Sequence, residues 1–86
     1  MSKIREELIS ILKAKHGDSA NVADVIDTLY EAGALDDSLM RRAVVYERFY
    51  DSLANTSQSA YTISWDLSFR YDVSRSTVKY ITRSKG

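Results

Sequence analysis

The charged side chains of this 86-residue chain are sorted along its length. Residues 59–86 carry five cations, Arg70, Arg75, Lys79, Arg83 and Lys85, against Asp66 and Asp72, a local charge of +3. Residues 1–40 carry four cations against eight carboxylates, a local charge of −4, so the formal total of zero conceals an acidic front and a basic tail. Contacts to phosphate require Lys and Arg. A basic end on a neutral chain therefore points to one anionic partner at that end.

Other chemistries find little to work with. The chain has no cysteine, which excludes disulfides and thiolate metal sites, and His16 is the lone histidine. A single imidazole cannot build a zinc centre without several carboxylates at tetrahedral spacing, so no metal or cofactor is expected. His16 precedes Gly17 and is expected to interact with a helix end. Tyr46 and Tyr50 fall on an apolar stripe and read as core; a tyrosine nucleophile would need an Arg/His constellation around it. There is no phosphate-cradling glycine loop and no nucleophile motif, so catalysis is not expected. No apolar run approaches the roughly 20 residues of a membrane span. The N-terminal stretch lacks the apolar core of a signal peptide, and the chain reads as an intact cytoplasmic protein.

Proline is absent and glycine occurs only at Gly17, Gly33 and the terminus, which favours helices over the turn-rich punctuation of a β fold. A first helix is expected from Lys3 to Lys15, with Ile4, Leu8, Ile11 and Leu12 on one face, Ser2 as N-cap and Gly17 as left-handed stop. A second runs from Val22 to Ala32 through Val25, Ile26 and Leu29, capped by Asn21 or Ser19 and stopped by Gly33. These two are expected to pair as an acidic hairpin. The third and longest, Ser38 to Ala54, is capped by Asp36 or Asp37. It carries a stripe at Leu39, Ala43, Tyr46, Tyr50 and Leu53 that Met40, Val44 and Phe49 widen. A polar connector, residues 55–59, follows.

From Tyr61 to Val73 apolar and polar residues alternate without a break, which on period alone predicts a strand. A strand there would lack a partner in an otherwise helical chain, and the same residues satisfy helical spacing twice. Ile63, Leu67 and Tyr71 make one face; Tyr61, Trp65 and Phe69 make a second, roughly opposite. A helix is expected, either buried on both sides or carrying an exposed aromatic face. Packing of Trp65, Tyr61 and Phe69 against the N-terminal helices is the expected arrangement, and a dimer surface the sharper alternative.

Two short helices that wedge together need apolar residues at fixed points, a small residue at the crossing, and a turn residue that tolerates positive φ. In residues 67–81, Leu67, Tyr71, Val73, Val78 and Ile81 take the wedge positions, Ser68 is the small residue, and Ser74 caps the second helix. This run, Val73-Ser74-Arg75-Ser76-Thr77-Val78 above all, resembles the helix-turn-helix of small bacterial and phage regulators and of the DNA-binding ends of resolvases and transposases. The resemblance covers about twenty residues. It departs from the family at Asp72, where glycine is usual; aspartate enters the left-handed region at modest cost.

The resemblance implies that Arg75, Ser76, Lys79 and Tyr80 read base edges, and that Arg70, Thr77, Arg83 and Lys85 meet phosphates. It implies sequence-specific binding of double-stranded DNA, as in a small bacterial, phage or mobile-element transcriptional regulator. The expected fold is all-α, one domain of about five helices, with a helix-turn-helix (59–86) packed on the acidic hairpin (1–35) and a long central helix with its connector (36–58). A homodimer or protein partner would use the acidic helices or Tyr61, Trp65 and Phe69; no membrane partner is expected. Two alternatives stay open: a protein-interaction module of the same fold, and a DNA-packaging or recombination accessory factor.

Overall fold

The computed structural model describes residues 3–17 and 21–83, and these form five α-helices with no strand among them. The helices are α1 (Lys3–His16), α2 (Val22–Glu31), α3 (Asp37–Asn55), α4 (Ala60–Tyr71) and α5 (Arg75–Arg83). The all-α expectation holds, and so does the choice of helix over strand for the alternating segment. The chain divides into two compact units, Met1–Val44 and Val45–Gly86, with the division falling inside α3 rather than in a connector.

In the first unit, α1 and α2 pair as the expected hairpin. Gly17, at φ 92°, ends α1 by donating its N–H to the Lys13 carbonyl at 2.8 Å, and Gly33, at φ 80°, follows α2. Both positions sit in the left-handed region, where a side chain would be strained. Asn21 departs from its expected role, since its side chain makes no capping bond to α2; the other proposed caps, Ser2 and Ser19, lie outside the described residues. Leu8, Ile9 and Ile26 are buried. The hairpin is clasped by Arg5, whose Nε and Nη2 each donate to one Asp27 carboxylate oxygen at 2.8 Å. This bidentate geometry matches guanidinium to carboxylate. The bond from Arg5 holds the Asp27 carboxyl below the ordinary carboxylate range, and Asp27 in turn raises the Arg5 guanidinium.

Asp36 caps α3 as expected, its Oδ1 accepting from the Leu39 N–H at 2.8 Å. Of the expected stripe of α3, the widening residues Met40, Val44 and Phe49 are buried, while its central line is half-buried or exposed. Met40 and Val44 are buried in the first unit and Val45 and Phe49 in the second, while Leu39 and Leu53 are exposed. The helix buries positions on either side of that central line, one residue after Leu39 and Ala43 in the first unit and one residue before Tyr46 and Tyr50 in the second. It is apolar over so much of its circumference that spacing alone does not choose the phase.

In the second unit, Ser59 caps α4 by accepting from the Thr62 N–H at 3.2 Å. Ile63, Ser64, Leu67 and Tyr71 form the buried arc of α4. Ser64 is accommodated there because its hydroxyl donates back to the Ala60 carbonyl at 2.8 Å. Burying this arc turns Tyr61, Trp65 and Phe69 outward, at 59 %, 40 % and 80 % exposure. The expected packing of these rings against the N-terminal helices is therefore corrected: α4 carries an exposed aromatic face.

Candidate functional site

The C-terminal unit is built around the turn between α4 and α5. Asp72 ends α4 in the left-handed conformation, φ 54° and ψ 48°, and is the sole non-glycine residue at positive φ among those described. The residue that departs from the family pattern thus adopts the conformation that glycine would supply. Ser68 fastens the same turn from both sides of its own residue. Its hydroxyl donates to the Val73 carbonyl at 2.7 Å, and its carbonyl accepts from the Val73 N–H at 3.2 Å. A larger side chain at 68 would not fit that clasp. Because an L-residue in the left-handed region is disfavoured by about 1–2 kcal/mol, less for aspartate, Asp72→Gly is expected to stabilise the unit by about 0.5–1 kcal/mol. The urea midpoint, at unchanged slope, checks it.

Ser74 then starts α5: its Oγ accepts from the Thr77 N–H at 3.0 Å and shares a hydrogen with the Thr77 hydroxyl at 2.8 Å. The wedge closes as expected, with Leu67, Tyr71 and Val78 buried and Val73 and Ile81 half-buried. The far end of α5 is tied down by the Tyr50 hydroxyl, which donates to the Thr82 carbonyl at 2.7 Å. Tyr50 is also edge-on to Phe49, with centroids 5.1 Å apart. Its place is structural.

Arg75, Ser76, Lys79, Tyr80 and Arg83 line one groove of about 740 Å³, together with Phe49, Tyr50, Leu53, Ala60, Tyr61, Ser64 and Thr82. No carboxylate is among the lining residues. Of the expected base-contacting residues, Ser76, Lys79 and Tyr80 are exposed, Tyr80 at 63 %. Arg75 is half-buried and turned toward α4. Its guanidinium carbon lies 4.4 Å from the Tyr61 ring centroid and 5.5 Å from that of Trp65, in cation–π range of both. Its Nε is buried and has no hydrogen-bond partner. The rings cover the guanidinium, so edge-on contact with a ligand has to be made by its terminal nitrogens.

The expected phosphate contacts are less uniform. Arg83 is exposed on the groove. Arg70 stands apart on α4, in an exposed ion pair with Asp66 at 3.3 Å. The Thr77 hydroxyl is occupied in the Ser74 cap. Lys85 lies outside the described residues. The pairing of Arg75 with Tyr61 and Trp65 was not legible beforehand, although the one-turn spacing of 61, 65 and 69 marks where an aromatic ladder would stand. Among the described residues no group of three His, Cys, Asp or Glu side chains converges to hold a metal ion, and no helix is long and apolar enough to cross a membrane.

Compared with protein-family models, curated proteins and solved structures, the chain matches none. The likeness to the helix-turn-helix family therefore stands on the residues of the α4–α5 turn alone.

Proposed function

We propose that the protein binds double-stranded DNA by laying α5 in the major groove, with α4 crossing above it, as a small transcriptional regulator of the bacterial or phage type. The observation that carries this reading is the turn: a left-handed residue at 72, the Ser68 clasp, the Ser74 cap and a buried Leu67–Tyr71–Val78 wedge occur together. A plain helical hairpin has no need of all four. The carboxylate-free groove beside α5 supplies the second support, since it concentrates Arg75, Lys79 and Arg83 where a polyanion would lie.

On this reading Ser76, Lys79 and Tyr80 reach base edges, and Arg83 meets a phosphate. Arg75 stays on its aromatic bracket and offers its terminal nitrogens to guanine or to the backbone. One such unit makes few contacts, so two copies on a pseudo-palindromic site, with half-sites about ten base pairs apart, complete the reading. Selection of bound duplexes from a random pool, followed by titration at several salt concentrations, tests it. Binding should weaken steeply as salt rises. Arg75→Ala should cost about 1–3 kcal/mol and relax preference at one position. Absence of salt-sensitive binding to any duplex would overturn the proposal.

The exposed rings of α4 favour one second reading, a protein-interaction module of the same fold. It predicts no duplex binding at all, and the same titration separates the two.

A further inference from the structure

The aromatic face of α4 extends beyond the groove beside α5. Tyr61, Trp65 and Phe69 stand at one-turn spacing along α4, edge-on between the first pair (centroids 6.3 Å) and stacked between the second (5.9 Å). Of the three, Phe69 is the most exposed, at 80 %, and only Tyr61 lines the groove. At roughly 150–250 Å² for a whole aromatic side chain, the strip leaves on the order of 350 Å² of ring in water. An apolar patch of about 300–600 Å² is often functional.

Charge identifies the occupant. One flank of the strip carries Asp66 and Arg70, paired with each other at 3.3 Å and each 57 % exposed at the side chain, so the patch is neutral and carries both signs. A polyanion would meet Asp66 and gain nothing from the rings' flank. A second α4 lying antiparallel suits it: on a two-fold axis between residues 67 and 68, Phe69 of each copy comes against Trp65 of the other. Residues on the same flank face each other in an antiparallel pair. Asp66 of one copy then comes opposite Arg70 of its partner, twice. A parallel pair would set opposite flanks together and leave Asp66 and Arg70 without this exchange.

We infer that the Tyr61–Trp65–Phe69 face of α4 is the contact between two copies of this chain, paired antiparallel with Asp66 and Arg70 exchanging partners across the axis. The inference deepens the two-copy arrangement proposed above, but the contact exists without DNA. Two such faces bury on the order of 700 Å² in all, below the size of stable specific interfaces, so the dimer is weak and dissociates on dilution.

Sedimentation velocity of the full chain across a concentration series tests the contact, with helix content followed by circular dichroism. The expected result is a monomer–dimer equilibrium whose dissociation constant rises at least about tenfold in Phe69→Lys. It should also rise in Asp66→Arg, which sets like charges opposite each other, and return toward the original in the exchanged pair Asp66→Arg/Arg70→Asp. A chain that stays monomeric at all concentrations overturns the inference. So does a dimer that ignores all three variants, because it must then use another surface. Duplex binding measured in parallel keeps the two proposals distinct: a monomer that binds a single half-site defeats the contact and spares the DNA reading, and a dimer that binds no duplex does the reverse.

Discussion

Leu67→Ala is expected to destabilise the C-terminal unit by about 2–5 kcal/mol, enough to remove most or all of its cooperative unfolding transition. Leu67 is 1 % exposed and sits in the wedge with Val78, which is fully buried. Truncation there leaves a cavity in a core that also holds Ile63, Tyr71 and Val78, all buried on the helices they belong to. A domain this small draws only a few kcal/mol from its core, so one lost side chain is a large share of the total. Urea unfolding followed at 222 nm measures the change. Phe69→Ala, two residues away and the larger truncation, should change stability by less than about 0.5 kcal/mol, because its ring is already in water. Equal effects at the two positions would mean that α4 is rotated from the orientation described.

The double variant Lys79→Glu/Arg83→Glu is expected to lower duplex affinity at least about thirtyfold, from about 1–3 kcal/mol per lost contact, while leaving the fold intact. Both side chains are exposed on the groove face of α5, one turn apart. Reversal places two carboxylates in a groove that has none. The slope of affinity against salt should fall with it, since fewer counterions are released. Titration of a selected duplex at two salt concentrations gives both quantities. An unchanged slope would move the phosphate contacts elsewhere.

Helix ends were the most legible part of the fold where a local device sets them. Gly17 and Gly33 stop α1 and α2, Asp36 and Ser74 cap α3 and α5, and all four do so through backbone geometry or a single hydrogen bond. The α4–α5 turn was legible for the same reason: small, left-handed and capping residues occupy fixed offsets. What spacing did not determine was rotation and side-chain direction. In α3 the apolar residues run so far around the helix that spacing did not single out which of them the core would take: Met40, Val44 and Phe49 are buried together with Val45, while Leu39 and Leu53 are exposed. In α4 two faces of three large residues competed, and the aliphatic one, with Tyr71, won the interior. Arg75 shows the same limit at a single residue. Its position on α5 was evident, but the pull of two rings on the preceding helix is a contact between elements that a one-dimensional pattern does not carry.

The hydrogen bond from Tyr50 to the Thr82 carbonyl bears on how a nine-residue helix could fill the DNA-reading role proposed for it. Isolated helices of that length unwind readily, and their final turn goes first. Here that turn is moored to α3, so the backbone beneath Arg83 is already ordered before any ligand arrives. Docking then has only side chains to immobilise, and the loss of freedom that would otherwise oppose complex formation has been met when the chain folds.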